Sequence, residues 1–483
     1  MSVVTEPSSP PAPSPPGPAR LDARGWALLL VLCGAIFLEG IDIAMLAVAI
    51  PVIKADLGLS TGTAAWVVSG YVLGYAGFTL LGGRAADLLG RRRMFLAWMG
   101  VFLAFSALGG LATEGWMLVV SRFVTGVASA FMTPASMSII TTSYPEGPQR
   151  NKALLIFAGT AAGGFSLGLV IGGLLTQLGW RWVFYAPVLL AALILIAAVR
   201  LVPATDPSAS PQASPGGAPS ALPTTGMRGF DLPGAMAAAG AMLLLAYGVI
   251  RLEHGFEGWG WTLAALGSGA LLVALFTAIE RRAATPLVRL GILRNRPMVR
   301  ADLGALLLLG SFMGFQFMVT LYLQELRDWS SLKTSLALLL MGMDVILAPT
   351  LTPWLVHRFG HRRVILWGFV SAFLGYALFL RVGADWTYAA MLPTLVLTGL
   401  AFTLAYGPLT IAATEGVDAA EQGLAGGLLY TATQFGAAIG VASVTAVYGL
   451  AGPGLDGFRA GLVIPVVLAA AGLLLMVDRR RTA

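Results

Sequence analysis

Residues 26–51 read WALLLVLCGAIFLEGIDIAMLAVAIP. This apolar run is long enough to span a membrane, yet it carries two carboxylates, Glu39 and Asp42. At a helical rise of about 1.5 Å per residue, Glu39 lies roughly 20 Å and Asp42 roughly 24 Å beyond Trp26, inside a hydrocarbon core about 30 Å thick. Spaced i and i+3, the two acids share one helix face. An acid at that depth is costly and seldom decorative. Two of them suggest a water-accessible cavity with proton or cation chemistry. Ala47-Val48-Ala49 imitates a leader-peptide cleavage site, but the run is too long and too acidic for a leader and is read as a retained first span.

The rest of the composition agrees with that reading. With 57% hydrophobic and 11% charged residues, the chain departs from soluble proteins, in which roughly a quarter of residues are charged. It is an all-α polytopic membrane protein. The net charge of +7 does not indicate nucleic acid, because the basic residues sit in short clusters between apolar segments and not on one face. The single cysteine, Cys33, excludes an intramolecular disulfide and a thiolate metal cluster. It is expected to be a small packing residue. The preference for Arg over Lys and the abundance of Ala and Gly suggest a bacterial source.

Residues 1–25 are expected to form a disordered, Pro-rich cytoplasmic tail. Fourteen apolar segments follow, at about 26–50, 62–83, 94–112, 116–140, 152–176, 181–202, 229–250, 258–280, 298–324, 333–356, 363–382, 386–413, 422–448 and 457–477. Between the sixth and seventh, residues 203–228 carry a proline at every fourth position from Pro203 to Pro223, the composition of an extended linker. The expected organisation is therefore a six-helix bundle at 26–202, two inserted transmembrane helices at 229–280, a basic cytoplasmic loop at 281–297, a second six-helix bundle at 298–478 and a short tail at 479–483.

Lysine and arginine set the orientation. With an even number of spans, the side holding both termini collects 22 of the 30 basic residues, so both termini are expected to be cytoplasmic, in a multi-pass protein of the plasma (inner) membrane. A twelve-span reading without the inserted pair would give the same orientation; the length and apolarity of 229–250 and 258–280 favour fourteen. An internal repeat relates the two bundles. Asp87-Leu88-Leu89-Gly90-Arg91-Arg92-Arg93 follows the second span, and His357-Arg358-Phe359-Gly360-His361-Arg362-Arg363 follows the equivalent span of the second bundle. Pseudo-symmetric halves are what a rocking transporter requires.

From about residue 26 to 478 the chain resembles the major facilitator superfamily, and within it the fourteen-helix drug:proton antiporters. The most specific match is Gly83-Arg84-Ala85-Ala86-Asp87-Leu88-Leu89-Gly90-Arg91-Arg92-Arg93, which fits the loop motif G-x-L-A-D-x-x-G-R-[RK]-x with Ala85 for Leu. Asp42 with Pro51 resembles the first-helix signature, and Arg122-Phe123-Val124-Thr125-Gly126 the fourth-helix motif R-x-x-Q-G with Thr125 for Gln. Gly168-Leu169-Val170-Ile171-Gly172-Gly173 resembles the antiporter motif G-P-x-x-G-G without its proline. Tyr322-Leu323-Gln324 and the stretch from Gln434-Phe435-Gly436 to Gly440 also look like this family. Ala44 and Ala47 stand where the first-helix signature has Thr and Asn, and Glu39 is an addition.

Candidate roles follow from residue type, depth and resemblance. Glu39 and Asp42 are candidate proton carriers. Arg122, which could also be a snorkelling interfacial arginine, is implied by the resemblance to face the cavity and affect proton release. Asp344, roughly 17 Å into the tenth span by helical rise, joins Gln316, Gln434, Tyr71 and Tyr406 as substrate-binding candidates, with Trp66, Tyr75 and Tyr430 as further possible cavity linings. Gly83, Asp87, Gly90, Arg91 and Arg92 are a candidate conformational switch that bridges the halves, for which Glu415, Asp418 and Glu421 offer acidic partners. Gly164, Gly168, Gly172 and Gly173 mark a close-packing helix face.

No phosphate-binding G-x-x-x-x-G-K-[ST] sequence is present, so ATP is not the expected driver. The reading is a non-enzymatic secondary transporter, without cofactor or metal, that exports a drug, antibiotic or secondary metabolite in exchange for protons. Its expected partners are a small molecule, protons and the bilayer, with no nucleic acid and no obligate protein partner. Alternatives are a proton-coupled importer on the same fold and, in a different class, a transporter-like membrane sensor, which should carry an output module. A membrane-embedded enzyme is the weakest, because His254, His357 and His361 fall in loops and no nucleophile–base set appears.

Overall fold

A computed structural model describes residues 22–59, 61–203, 231–251, 258–283, 286, 288, 290–452 and 454–477. Most of the expected amino-terminal tail, the linker after Pro203 and the last residues lie outside this set.

The described residues form fifteen α-helices. These are α1 (Ala23–Asp56), α2 (Thr61–Leu89), α3 (Arg91–Gly110), α4 (Gly115–Ser143), α5 (Pro148–Leu178), α6 (Trp182–Leu201), α7 (Leu232–Arg251), α8 (Trp259–Glu280), α9 (Arg296–Leu321), α10 (Ser331–Leu338), α11 (Asp344–Phe359), α12 (His361–Phe379), α13 (Tyr388–Thr414), α14 (Gln422–Ala451) and α15 (Leu455–Met476). Helices dominate because an apolar chain in lipid must satisfy every backbone N–H and C=O within itself. Twelve of the helices are long and apolar enough to cross a membrane, and thirteen spans result if the bent pair is one span. A helix stands at each of the fourteen expected positions, but α7 contributes a shorter apolar stretch, Pro233–Val249. The count of fourteen therefore turns on α7.

The expected tenth span, 333–356, is not one continuous helix. It consists of α10, a 3₁₀ turn at Leu339–Gly342 and α11, and its segments Lys333–Ala348 and Thr350–Phe359 diverge by 60°. Pro349, at the bend, has no N–H to return to the preceding turn. Asp344 is consequently the first residue of α11, just after the irregular turn.

Glycine decides how closely helices approach. In α5, a Cβ at Gly164 would lie 2.6 Å from the carbonyl oxygen of Phe37, one at Gly168 would lie 2.7 Å from Ile41 Cα, and one at Gly172 would lie 2.6 Å from Met45 Cα. Three glycines at four-residue spacing thus match three α1 residues at the same spacing, backbone against backbone. Gly173 is half-buried beside this seam. In the second half α9 and α14 pack the same way, with Gly310 and Gly314 against the carbonyls of Gly436 and Gly440. With no proline beyond its first turn, α5 runs unbroken from Pro148 to Leu178.

Helices α1 to α6 pack mainly on one another, α1 along α5 and α2 along α4, while α9 and α11 to α15 form a second packed group. The two groups meet where α2 and α4 touch α14, and where α5 touches α11 and α13. Helices α7 and α8 pair with each other, and α7 rests on α2 and α14. The repeated loop motif makes the same turn twice. Gly90 with φ +96° precedes α3, and Gly360 with φ +81° precedes α12, a backbone region that favours glycine.

Candidate functional site

The two carboxylates of α1 occupy different environments. Asp42 accepts from Arg122 Nη1 at 2.5 Å, and both residues are 2% exposed. The Arg122 guanidinium lies over the Tyr71 ring, 4.5 Å from its centroid, and the Tyr71 hydroxyl donates to Ser129 Oγ at 2.8 Å. Glu39, one helical turn away, accepts from the Thr133 hydroxyl at 2.5 Å and lines a cavity. Among the described residues, no cation lies within ion-pair distance of it.

Helix α4 supplies the positioning. Ser121, Thr125, Ser129 and Thr133 recur at every fourth residue, and none is more than 2% exposed. A helix brings residues at that spacing onto one face. Two successive turns of this face give two parallel layers, each built from an α1 acid, an α2 tyrosine and an α4 hydroxyl. Asp42, Tyr71 and Ser129 form one, while Glu39, Tyr75 and Thr133 supply the other. The tyrosine rings meet edge to face at 5.9 Å. Ser129 and Thr133 were not singled out from sequence, although their four-residue spacing was a readable signal.

The cavity lies between the halves and has a volume of about 140 Å³. From the first half it is lined by Glu39, Tyr75, Phe165 and Ser166, and from the second by Gln316, Phe312, Phe402, Tyr406, Tyr430 and Gln434. Pockets that enclose drug-sized molecules run to roughly 300–1,000 Å³, so this one must widen to accept such a ligand. Its wall is apolar and aromatic, with amides and hydroxyls from the second half opposite one carboxylate from the first.

The sequence candidates fall into distinct places. Gln316, Gln434 and Tyr406 line the cavity, as do Tyr75 and Tyr430, but Tyr71 is engaged with Arg122 and Ser129 and does not. Trp66 is 43% exposed and stacks on Tyr247 of α7 at 6.0 Å, away from the cavity. Asp344 is 1% exposed and follows Gly342, a lining residue, without lining the cavity itself.

The halves also make contact around Asp87. Asp87 accepts from the backbone N–H groups of Gly423 at 3.0 Å and Leu424 at 2.9 Å, in the first turn of α14, and pairs with Arg91 at 3.3 Å. Arg91 also donates to Ala419 O. Gly83 allows the approach, since a Cβ there would lie 2.9 Å from Gly427 Cα. Asp87 thus reaches the other half through backbone N–H groups at a helix start, where unsatisfied N–H groups attract an anion. Arg92 instead donates to Val199 O of α6 at 2.8 Å, within its own half, and Glu415 lies 3.7 Å from His361.

A family model described as Major Facilitator Superfamily matches residues 32–441. The chain belongs to this superfamily. Among curated members it is 32% identical over 483 residues to the lincomycin resistance protein of Streptomyces lincolnensis, covering 96% of this chain and 94% of that one. It is 33% identical over 435 residues to the cephamycin export protein CmcT of Amycolatopsis lactamdurans, covering 87% and 84%. Similarity to the puromycin resistance protein pur8 of Streptomyces alboniger is 32% over 439 residues, covering 88% and 82%. Of solved structures, the human organic anion transporter MFSD10 has the same fold, with a TM-score of 0.65 at 17% identity over 95% of this chain and 100% of that one. The cavity thus lies between the two halves of a facilitator fold.

Proposed function

We propose that this protein exports a hydrophobic small molecule, an antibiotic or secondary metabolite, across the plasma membrane in exchange for protons, without catalysing a chemical reaction on its cargo. Both termini are cytoplasmic in this reading. The first six helices and the last six are the moving bundles, and α7 and α8 are inserted between them. The observation that carries the proposal is Glu39, an acid with no cationic partner among the described residues, which faces an aromatic cavity while Asp42 is paired with Arg122.

The proposed cycle uses that difference. A carboxylate held by neutral hydroxyls, Thr133 and Tyr75, is completed by a proton or by a polar or cationic atom of the cargo, and both cannot occupy it together. Each ligand then stabilises a different orientation of the halves, which is what coupling requires. Asp87 on the α14 amides holds the cytoplasmic end closed, and its release opens the cavity inward. Asp42 with Arg122 is the companion pair. Its rearrangement ties the charge of Glu39 to the packing of α1 on α4. Asp344, at the break between α10 and α11, is proposed to enter the widened cavity.

The relatives supply the test compounds, since they are named for resistance to lincomycin and puromycin and for export of cephamycin. In inside-out vesicles bearing a proton gradient, the protein is expected to accumulate at least one compound of such a panel, with proton counterflow. Uptake of the same compounds by intact cells, against the export direction, would contradict the proposal.

A further inference from the structure

The second copy of the basic loop motif, Gly360-His361-Arg362-Arg363, stands at the start of α12. It lies where the starts of α9 and α12 meet the ends of α13 and α15, beside a cavity of about 300 Å³. Arg296, Arg300, His361 and Arg362 line this cavity, and Ile365, Leu409 and Met476 give it an apolar floor. No described carboxylate is among its lining residues. Arg300 is fixed in place, donating from Nε to Leu475 O at 2.6 Å and from Nη2 to Val477 O at 3.1 Å. Those acceptors are neutral, so its charge remains. His361 has an acid at its outer side, Glu415 at 3.7 Å. Arg296 and Arg362 are exposed.

We infer that this cavity binds the phosphate head group of an anionic phospholipid, with the start of an acyl chain on the apolar floor. Cationic side chains between helices at the membrane surface form such sites, and the starts of α9 and α12 add the positive ends of two helix dipoles. A free phosphate would satisfy the cations but would gain nothing from Ile365, Leu409 and Met476. The same helices also present lipid-facing surface, for Leu303, Trp367 and Leu474 are 46%, 38% and 73% exposed. The two copies of the motif then have different tasks: Asp87 and Arg91 join the halves, and the copy before α12 anchors the second half to one leaflet. The inference rests on the membrane-spanning fold and is independent of what the protein exports.

Native mass spectrometry of the full-length protein in detergent tests this. The probes are cardiolipin, phosphatidylglycerol, phosphatidylcholine and inorganic phosphate. The protein is expected to retain the two anionic lipids and not phosphatidylcholine, and millimolar inorganic phosphate should not displace them. At about fivefold per arginine, R296Q/R362Q is expected to lower anionic-lipid retention on the order of 20-fold. R296Q alone should lower it about fivefold, which preserves the test if the double variant does not fold. R93Q/R200Q, which removes the same charge elsewhere, should have no effect. Equal retention of phosphatidylcholine, undiminished retention by R296Q, or displacement by inorganic phosphate would overturn the inference, the last by showing a site for free phosphate.

Discussion

Arg122 of α4 and Asp42 of α1 meet at 2.5 Å, each 2% exposed, so neither charge can lose its partner cheaply. Leaving one member of a buried pair alone costs about 3–5 kcal/mol. R122Q is therefore expected to lower thermal stability in detergent by about that amount, and R122Q/D42N to recover part of it. R122K keeps the charge but loses the flat guanidinium over Tyr71, so it should fold while proton-coupled efflux falls. Unchanged efflux by R122K would show that the charge alone suffices.

Glu39 should behave in the opposite way. In E39Q the amide oxygen still accepts from Thr133, so stability should change by about 1 kcal/mol or less. The pH dependence of transport should disappear. If E39Q retains the wild-type pH profile, Asp42 carries the proton alone.

The seam between α1 and α5 predicts a sharp contrast between glycines. G168A would place a methyl group 2.7 Å from Ile41 Cα, and such overpacking costs about 1–3 kcal/mol. Gly100 of α3 has nothing within 4 Å of a Cβ position, and G100A should be neutral or slightly stabilising. Thermal unfolding of the two variants side by side checks the difference. A G168A protein as stable as G100A would show that the helices part easily.

Asp87 tests the latch. D87N keeps an acceptor for one α14 amide but loses the charge that strengthens both bonds and the pair with Arg91. Turnover is expected to fall about tenfold or more, corresponding to at least about 1.4 kcal/mol, while cargo affinity is retained. Normal binding together with full-rate cycling would remove the latch from the cycle.

These features differ in how plainly the sequence announces them. Apolar length is a property of local composition, so the helix positions could be read directly, and so could the unusual acids of the first span. The break after Leu338 could not, because apolarity continues through Leu339–Gly342 and hides the 3₁₀ turn. Glu39 and Asp42 looked like one acid pair, since spacing places them on one face. Only the approach of α4 divides them, giving Arg122 to one and Thr133 to the other. The anchorage of Asp87 on the second half consists of backbone amides, which leave no mark in residue type.

Exchange at Glu39 is the centre of the account, and transport in inside-out vesicles measures it most directly. With an imposed proton gradient and the antibiotic panel, the wild-type protein is expected to accumulate cargo as protons leave, and E39Q to show no proton-driven accumulation while still binding cargo. Accumulation without proton movement, or an E39Q protein as proton-driven as the wild type, would contradict it.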